Sequence, residues 1–175
     1  MVDARALVAE VPDPELPFLT IEDLGILRDV TVEGGVVHVT VTPTYSGCPA
    51  LDAIRDDVTT TLRAHGYDEV TVETVLAPAW TTDWLSERGR AALAEHGIAP
   101  PGRSRAAVFL PVPDVGGERS PLRVGVPDPE RTDQLRCTRC GSYDTEELSH
   151  FGATACKSLH RCRSCREPFE HFKAH

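Results

Sequence analysis

The chain carries Cys137-Thr138-Arg139-Cys140 and, after twenty-one intervening residues, Cys162-Arg163-Ser164-Cys165. Each C-x-x-C pair supplies two thiolates from one tight turn, and the stretch between the pairs is long enough for a hairpin that brings them together. Gly141, directly after the first pair, gives that turn the backbone freedom it needs. The pattern predicts a tetrahedral metal site with these four cysteines as ligands. We interpret residues 136–175 as a structural zinc ribbon.

Basic residues flank both cysteine pairs. Four thiolates on one divalent ion leave a local charge of about −2. We expect the neighbouring cations to offset that charge; they are Arg136, Arg139, Lys157, Arg161, Arg163 and Arg166. Spacing alone does not separate zinc from iron, because both metals accept four tetrahedral thiolates. A rubredoxin-like electron-transfer component, with iron held by the four cysteines, is therefore the alternative interpretation.

The composition is that of a globular protein with one or two small domains. The chain has 175 residues, of which 41% are hydrophobic and 26% are charged, and both fractions are ordinary. No apolar run reaches the ~18 residues needed to span a bilayer. Asp3 and Glu10 lie where a signal peptide would be basic and then apolar. We expect a cytoplasmic protein without a membrane partner, whose clustered cysteines bind metal rather than form disulfides.

The net charge of −9 is unevenly distributed along the chain. Residues 1–85 carry fifteen acidic and four basic side chains, whereas residues 136–175 carry seven basic and five acidic ones. An acidic surface repels phosphate, so the first half argues against a nucleic-acid partner. The cations of the C-terminal part are explained by the thiolate charge, and no nucleic-acid partner is expected there either.

Hydrophobic periodicity predicts the architecture of the first half. Short and long helices are predicted over residues 3–10 and 50–65, and strands over residues 26–32, 36–41 and 68–76. Gly-Gly between the first two strands is typical of a hairpin. The order helix, strand, strand, helix, strand predicts an α+β fold, built as a small two-layer α/β sandwich. A trailing helix is predicted from Thr81 to about Glu95, with Trp80 in the core.

We divide the chain into three parts. Residues 1–97 contain the sandwich and the trailing helix. Residues 98–135 are rich in proline and glycine and predict an extended connector with short strands over 106–110 and 122–126. Residues 136–175 form the ribbon, with strands expected over 142–148 and 158–161.

Cys48 is the candidate reactive group of the first half. It lies in a Gly- and Ser-containing loop before a predicted helix, where unpaired amides and the helix dipole favour thiolate over thiol. Three prolines within residues 12–17 hold the carboxylates of Asp13 and Glu15 in nearly fixed positions. An activated loop thiol can bind a metal ion, accept a cluster or exchange with another thiol. The alternatives are an inert, partly buried cysteine and carboxylates that only cap their loop.

Several motifs in combination resemble a known family. Over about residues 3–78, the chain is similar to the small iron–sulfur assembly domain of SufT-like proteins, through Asp13-Pro14-Glu15-x-Pro17, Ile21-x-Asp23-Leu24-Gly25 and Thr42-Pro43-Thr44 leading to Cys48-Pro49. The C-terminal part resembles one branch, the PaaD family of bacterial phenylacetate degradation. The residues that carry this second resemblance are Phe151-Gly152-x-Thr154-x-Cys156-Lys157 and Pro168-Phe169-x-x-Phe172-Lys173.

The resemblance implies an accessory factor rather than a catalyst with its own catalytic residues. Its implied role is to mature the multicomponent phenylacetyl-CoA epoxidase by assisting the insertion of iron or an iron–sulfur cluster. By the same resemblance, Cys48 is the thiolate of the iron-handling site and Asp13 and Glu15 are its neighbours. The implied partners are the other epoxidase subunits, contacted through the zinc ribbon. A homodimer built around the Cys48 region remains open.

Three further features have no settled role in the sequence. Cys156 is surplus to a closed four-thiolate site, and it either packs in the core or acts as a free thiol in transfer beside Cys48. Histidines outside any paired spacing are expected to be solvated; in the C-terminal part they are His150, His160, His171 and His175. An enzyme with Cys48 as nucleophile and His38 as base is the least favoured hypothesis.

Overall fold

The computed structural model describes residues 3–102 and 135–173, and the structural statements below refer to these residues. The connector strands predicted over 106–110 and 122–126, and His175, lie outside the described residues. Within the described ranges, no helix has both the length and the apolar character needed to cross a membrane.

The first half has the predicted order of elements. They are α1 (Ala4–Ala9), β1 (Leu27–Glu33), β2 (Val36–Val41), α2 (Leu51–Ala64) and β3 (Glu69–Thr74). The strands form one sheet in the order β1-β2-β3, with β1 antiparallel and β3 parallel to β2. Buried valines of β2 meet buried aliphatic residues of α2 in the core between the two layers: Val37, Val39, Val41, Ile54, Val58 and Leu62. The α+β sandwich is thereby confirmed.

The trailing segment differs from the single helix that the sequence predicts. It consists of a 3-10 turn over Thr82–Trp84 and a separate helix α3 over Glu87–Glu95. Leu85 has an extended backbone, with φ −65° and ψ 124°, and divides the two elements. Ser86, rather than the Thr81 region, caps α3, and its hydroxyl accepts a hydrogen bond from the Gly89 amide at 2.9 Å. Ser86, a favourable N-cap residue inside the segment predicted as one helix, therefore starts a separate helix.

Asp23 attaches the trailing segment to the first layer. Its Oδ1 accepts hydrogen bonds from Ser86 Oγ and Arg88 Nε, each at 2.8 Å. Gly25 has φ +66°, and a Cβ at this position would approach the Trp84 carbonyl oxygen to 2.5 Å. The Ile21-x-Asp23-Leu24-Gly25 motif thus has a structural role, because it forms the turn on which the segment after β3 packs.

The C-terminal part is a four-stranded sheet. Its strands are β4 (Ile98–Ala99), β5 (Thr145–Ser149), β6 (Lys157–Cys162) and β7 (Pro168–Phe172), in the order β4-β7-β6-β5. The sequence predicts β5 and β6, with their ends shifted by one to three residues, but it does not predict β7. Strand β4 directly follows α3 and pairs in parallel with β7. The chain leaving the first half therefore contributes an edge strand to the ribbon.

The ribbon shares a hydrophobic core with the first half. Phe172 and Cys156 are 1% and 5% exposed, and both belong to the buried cluster that contains the sandwich core. The rings of Trp80 and Phe172 meet edge to face with centroids 6.0 Å apart. Trp80 Nε1 also donates a hydrogen bond to the Leu24 carbonyl at 2.8 Å. Trp80 is thus a core residue, as predicted, and it lies between the two halves.

This shared core predicts cooperative unfolding. Phe172→Ala removes a fully buried ring and is expected to lower the free energy of unfolding by about 3–5 kcal/mol. Chemical denaturation followed by tryptophan fluorescence measures the change. Phe151→Ala, at a ring that is 64% exposed, is the matched control and should change stability by no more than about 0.5 kcal/mol. An unchanged transition of the first half in Phe172→Ala would contradict a shared core.

A second prediction concerns pH. Burial raises the pKa of Asp23, but hydrogen bonds from Arg88 and Ser86 outweigh burial and bring the pKa below its ordinary value of 3.8. The charged carboxylate therefore stabilises the fold at pH values above 3.8, and this stabilisation is lost as the pH falls through the lowered pKa. Asp23→Asn should be less stable than the wild type at pH 7. The difference between the two proteins in thermal midpoint should shrink progressively below pH 4; a difference that does not depend on pH would refute the assignment.

Candidate functional site

The four predicted metal ligands come together. Ligand atoms of Cys137, Cys140, Cys162 and Cys165 all lie within 4.8 Å of one another. The Sγ atoms of Cys137 and Cys165 are 3.8 Å apart, and those of Cys140 and Cys162 are 3.6 Å apart. Zn–S bonds of about 2.3 Å place sulfurs about 3.8 Å apart in a tetrahedron. The donor set and its spacing therefore fit one tetrahedral metal ion.

Each cysteine turn is closed in the same way. The Gly141 amide donates to the Cys137 carbonyl at 3.0 Å, and the Arg166 amide donates to the Cys162 carbonyl at 2.8 Å. Gly141 and Arg166 both have positive φ, at 77° and 65°. Amide donors also face the sulfurs: the Cys165 amide, with a hydrogen bond from Cys140, lowers the pKa of Cys162 to about 6, whereas the neighbouring cysteines raise the pKa of Cys165 to about 12. Such turns stabilise thiolates and hence favour metal binding.

The cations beside the ribbon contact carboxylates more than thiolates. Arg161 and Arg163 both form ion pairs with Glu146, the Arg163 pair at 3.0 Å. Lys157 is buried and pairs with Glu170 at 2.8 Å. These ion pairs stabilise the sheet. The sequence predicts that these cations offset the charge of the thiolates, but their main contacts are with carboxylates.

The Asp13-Pro14-Glu15 loop is rigid, as the prolines indicated. Asp13 is 5% exposed, and its Oδ1 accepts hydrogen bonds from the amides of Glu15 and Leu16 at 2.9 and 2.8 Å. Burial raises the pKa of Asp13, and the charge of Glu15 adds to this increase. The two hydrogen bonds act in the opposite direction but do not outweigh burial. Asp13 therefore holds the loop together, while the Glu15 side chain is half-buried and presents its carboxylate.

Cys48 lies before α2 as predicted, but its thiol is not activated. Burial raises its pKa above the ordinary value of 9.0. The amides of Ala50 and Leu51 act in the opposite direction, and the negative charges of Glu15 and Asp13 add to the rise. The predicted preference for thiolate is wrong for the metal-free protein, because burial and two carboxylates outweigh the start of the helix.

Cys156 approaches the same loop from the ribbon. Its Sγ lies 3.9 Å from Glu15 Oε2 and 3.0 Å from Thr154 Oγ1. Burial raises its pKa to about 11, with further contributions from the charges of Glu15 and Asp13. Tyr45 also borders this region, since Cys48, Glu15 and Cys156 all raise its pKa in addition to burial. The structure thus brings Cys48, Cys156 and two carboxylates to one junction, although Cys156 is 141 residues from Glu15 in sequence.

One histidine expectation is wrong. His160 is 8% exposed, and its Nε2 is 2.9 Å from Ser158 Oγ. Burial lowers the pKa of His160 and, with the nearby charge of His160, lowers that of His171 to about 4. Both rings lie on the packed face of β6 and β7. Because the sequence does not predict strand β7, it could not indicate that these histidines are packed there.

Two protein families match the two parts of the chain that this geometry joins. Residues 124–173 match the family described as "PaaD zinc beta ribbon domain", and residues 2–74 match the family described as "Iron-sulfur cluster assembly protein". A putative 1,2-phenylacetyl-CoA epoxidase subunit of Escherichia coli (strain K12) is 43% identical over 168 residues, covering 96% of this chain and 89% of the relative. The chain belongs to the PaaD family.

Other relatives of this PaaD family member match its first half. A crystal structure described as "Domain of Unknown Function DUF59 from Bacillus anthracis" has 32% identity, covers 51% of this chain and 87% of its own, and gives a TM-score of 0.48. The "Fe-S protein maturation auxiliary factor SufT" of Staphylococcus aureus (strain USA300) is 38% identical over 85 residues, which are 47% of this chain and 96% of that protein. This last match confirms the resemblance to SufT-like proteins.

The metal centre predicts a sharp contrast between adjacent residues. Cys165→Ser removes a ligand and is expected to lower bound metal from about one equivalent per chain to near zero. Ser164→Ala, in the same turn but not a ligand, should retain the metal. Elemental analysis of both purified variants measures this, and full retention of metal by Cys165→Ser would exclude the four-cysteine assignment.

Proposed function

We propose that this PaaD family member is an accessory maturation factor for a multicomponent phenylacetyl-CoA epoxidase in aerobic phenylacetate catabolism. It assists the insertion of iron or an iron–sulfur cluster through Cys48, beside Asp13 and Glu15, and its clients are other epoxidase subunits. The observation that carries this proposal is the junction of Cys48 with two carboxylates inside the part of the chain that matches the iron–sulfur assembly family. The near full-length similarity to a putative epoxidase subunit supports the choice of client.

The thiol at the junction has properties that suit transient handling of iron. A half-buried thiol with a raised pKa stays protonated and poorly reactive when no metal is bound. An arriving cation reverses this balance, because it stabilises the thiolate and neutralises the carboxylates. The site therefore becomes a ligand set only in the presence of its cargo. We expect it to work in the cytoplasm, where thiols remain reduced.

The ribbon provides a surface for the client and holds zinc. Three large apolar side chains of the ribbon are about half-exposed or more: Tyr143 at 53%, Leu148 at 49% and Phe151 at 64%. Exposed aromatic and aliphatic side chains of this kind are typical of protein contacts. Zinc suits the four-thiolate site because it is redox-inert and needs no open position for a structural role. Iron would fit the same sulfur spacing, but no contact among the described residues favours electron transfer over a structural ion.

Elemental analysis and a visible spectrum test the metal assignment. Protein purified without oxygen should contain about one zinc per chain and show no charge-transfer colour from the ribbon. Colour that persists in Cys48→Ala would place iron in the four-cysteine site and favour the rubredoxin-like alternative.

Maturation is tested by co-expression of the epoxidase subunits with variants of this chain. Cys48→Ala should lower the iron content and the activity of the purified epoxidase by at least about tenfold, the range expected when a metal site loses an essential group. Stability should change little, because Cys48 is only half-buried. Ser46→Ala, at an exposed position in the same loop, is the matched control and should mature the client normally. Normal maturation by a destabilised Cys48→Ala would instead indicate an inert packed cysteine.

A further inference from the structure

Cys156 is the cysteine of the ribbon that its metal centre does not use. It lies in the turn before β6, on the side of the ribbon that faces the first half, and it is 5% exposed within the shared core. A buried cysteine often serves only as a small apolar side chain. Here, however, the sulfur contacts polar groups, Thr154 Oγ1 at 3.0 Å and Glu15 Oε2 at 3.9 Å. Simple packing does not explain that environment.

The backbone around Cys156 is firmly held. The Lys173 amide donates to the Cys156 carbonyl at 2.9 Å, and the Lys157 amide donates to the Thr154 carbonyl at 3.1 Å. Glu170 accepts a hydrogen bond from the Ala153 amide at 3.1 Å and also forms the ion pair with Lys157. These contacts fix the Cys156 thiol opposite the Asp13-Pro14-Glu15 loop. The hydrogen bonds of the surrounding backbone therefore determine the position of this thiol.

Glu15 is the common neighbour of both free thiols. Its carboxylate is 3.9 Å from the Cys156 sulfur, and its charge acts on the Cys48 thiol and on the Tyr45 hydroxyl as well. The loop carrying Glu15 is rigid because Asp13 accepts hydrogen bonds from its amides. The charge of one carboxylate therefore acts on two thiols from different parts of the chain.

We propose that Cys156 is the second thiolate of the cargo site, so that Cys48, Cys156 and Glu15 together bind a ferrous ion at the junction of the two halves. This inference rests on the proposed function, which it deepens by adding a ligand from the ribbon. Fe²⁺ displaces one proton from each thiol to solvent, forms two Fe–S bonds and one Fe–O bond, and undergoes no change of oxidation state. Mixed sulfur and carboxylate donors of this kind accept divalent first-row metals.

The geometry suits an open and releasable site. An oxygen and a sulfur bound to one tetrahedral ion are about 3.6 Å apart, and the Glu15–Cys156 contact is 3.9 Å. Among the described residues, the ribbon cysteines are the group whose donor atoms all lie within 4.8 Å of one another. The junction donors must therefore close onto the ion by side-chain rotation. That requirement makes binding weaker than in the ribbon, as expected for a cargo that is passed on.

Anaerobic titration of the zinc-loaded full-length chain with Co²⁺ tests the inference. Co²⁺ is the probe because it occupies the same ligand sets as Fe²⁺, and thiolate-to-Co²⁺ absorption in the near ultraviolet grows with the number of thiolates. The wild type should show the intensity of two thiolates, and Cys156→Ser and Cys48→Ser should each fall to about half. The double variant should show none. Zinc measured after the titration should stay at about one equivalent per chain. This result shows that Co²⁺ has not replaced zinc in the ribbon and that the ribbon cysteines do not contribute to the absorption.

The outcomes separate this inference from the function on which it rests. Undiminished absorption in Cys156→Ser, together with its loss in Cys48→Ser, would overturn the inference and leave Cys48 as the cargo ligand. Undiminished absorption in Cys48→Ser would overturn the proposed cargo site itself. No absorption in the wild type would overturn both.

Because residue 156 is buried, a second variant tests the site in case Cys156→Ser does not fold. Glu15→Gln keeps the shape of a half-buried side chain and should weaken the affinity for Co²⁺ by at least about tenfold. Glu10→Gln, at an exposed carboxylate nearby in sequence, is the matched control and should leave the affinity unchanged. Equal affinity in Glu15→Gln and the wild type would overturn the three-ligand site.

Discussion

The packing of Phe172 on Trp80 is the contact on which the arrangement of the two halves depends. Trp80 is anchored to the first half by its hydrogen bond to the Leu24 carbonyl, and Phe172 ends the last strand of the ribbon. The Lys173 amide, one residue further on, holds the Cys156 carbonyl. This aromatic contact, together with the pairing of β4 with β7, therefore holds the ribbon turn against the Glu15 loop.

The state of Cys48 illustrates how tertiary structure reverses a local preference. The start of α2 supplies amide donors that favour thiolate, and the sequence predicts this correctly. Burial and the charges of Glu15 and Asp13, which come from a loop more than thirty residues earlier, act in the opposite direction and win. The metal-free thiol is therefore protected from oxidation, which requires thiolate character. Under the proposed function, the bound cation rather than the loop makes this thiol reactive.

The sequence predicts those parts of the molecule whose signals are local. The C-x-x-C spacing, the Gly-Gly hairpin and the alternating valines of β2 each determine their structure within a few residues. The role of Cys48 and its carboxylates comes from the resemblance and stays a prediction. Strand β7 was missed because its residues, Pro168–Phe172, gain their strand character from pairing with β6 and β4. The trailing helix differs from the prediction because Ser86 caps α3, and the Ser86 hydroxyl is held in place by a hydrogen bond to Asp23, which lies 63 residues away. Cys156 was visible as a surplus thiol, but its neighbour Glu15 is a product of the fold.

The two groups of cysteines differ in how far the fold prepares them to bind a metal ion. The four ribbon sulfurs are preorganised by closed turns and face amide donors, so a metal bound there completes the fold. Strand β6 begins at Lys157, directly after Cys156, and ends at Cys162, a ligand of that metal. The position of the fifth thiol is thus coupled through one strand to the integrity of the ribbon. In the proposed cargo site, a metal bound by the ribbon would therefore also hold in place Cys156, the thiol that joins Cys48 and Glu15.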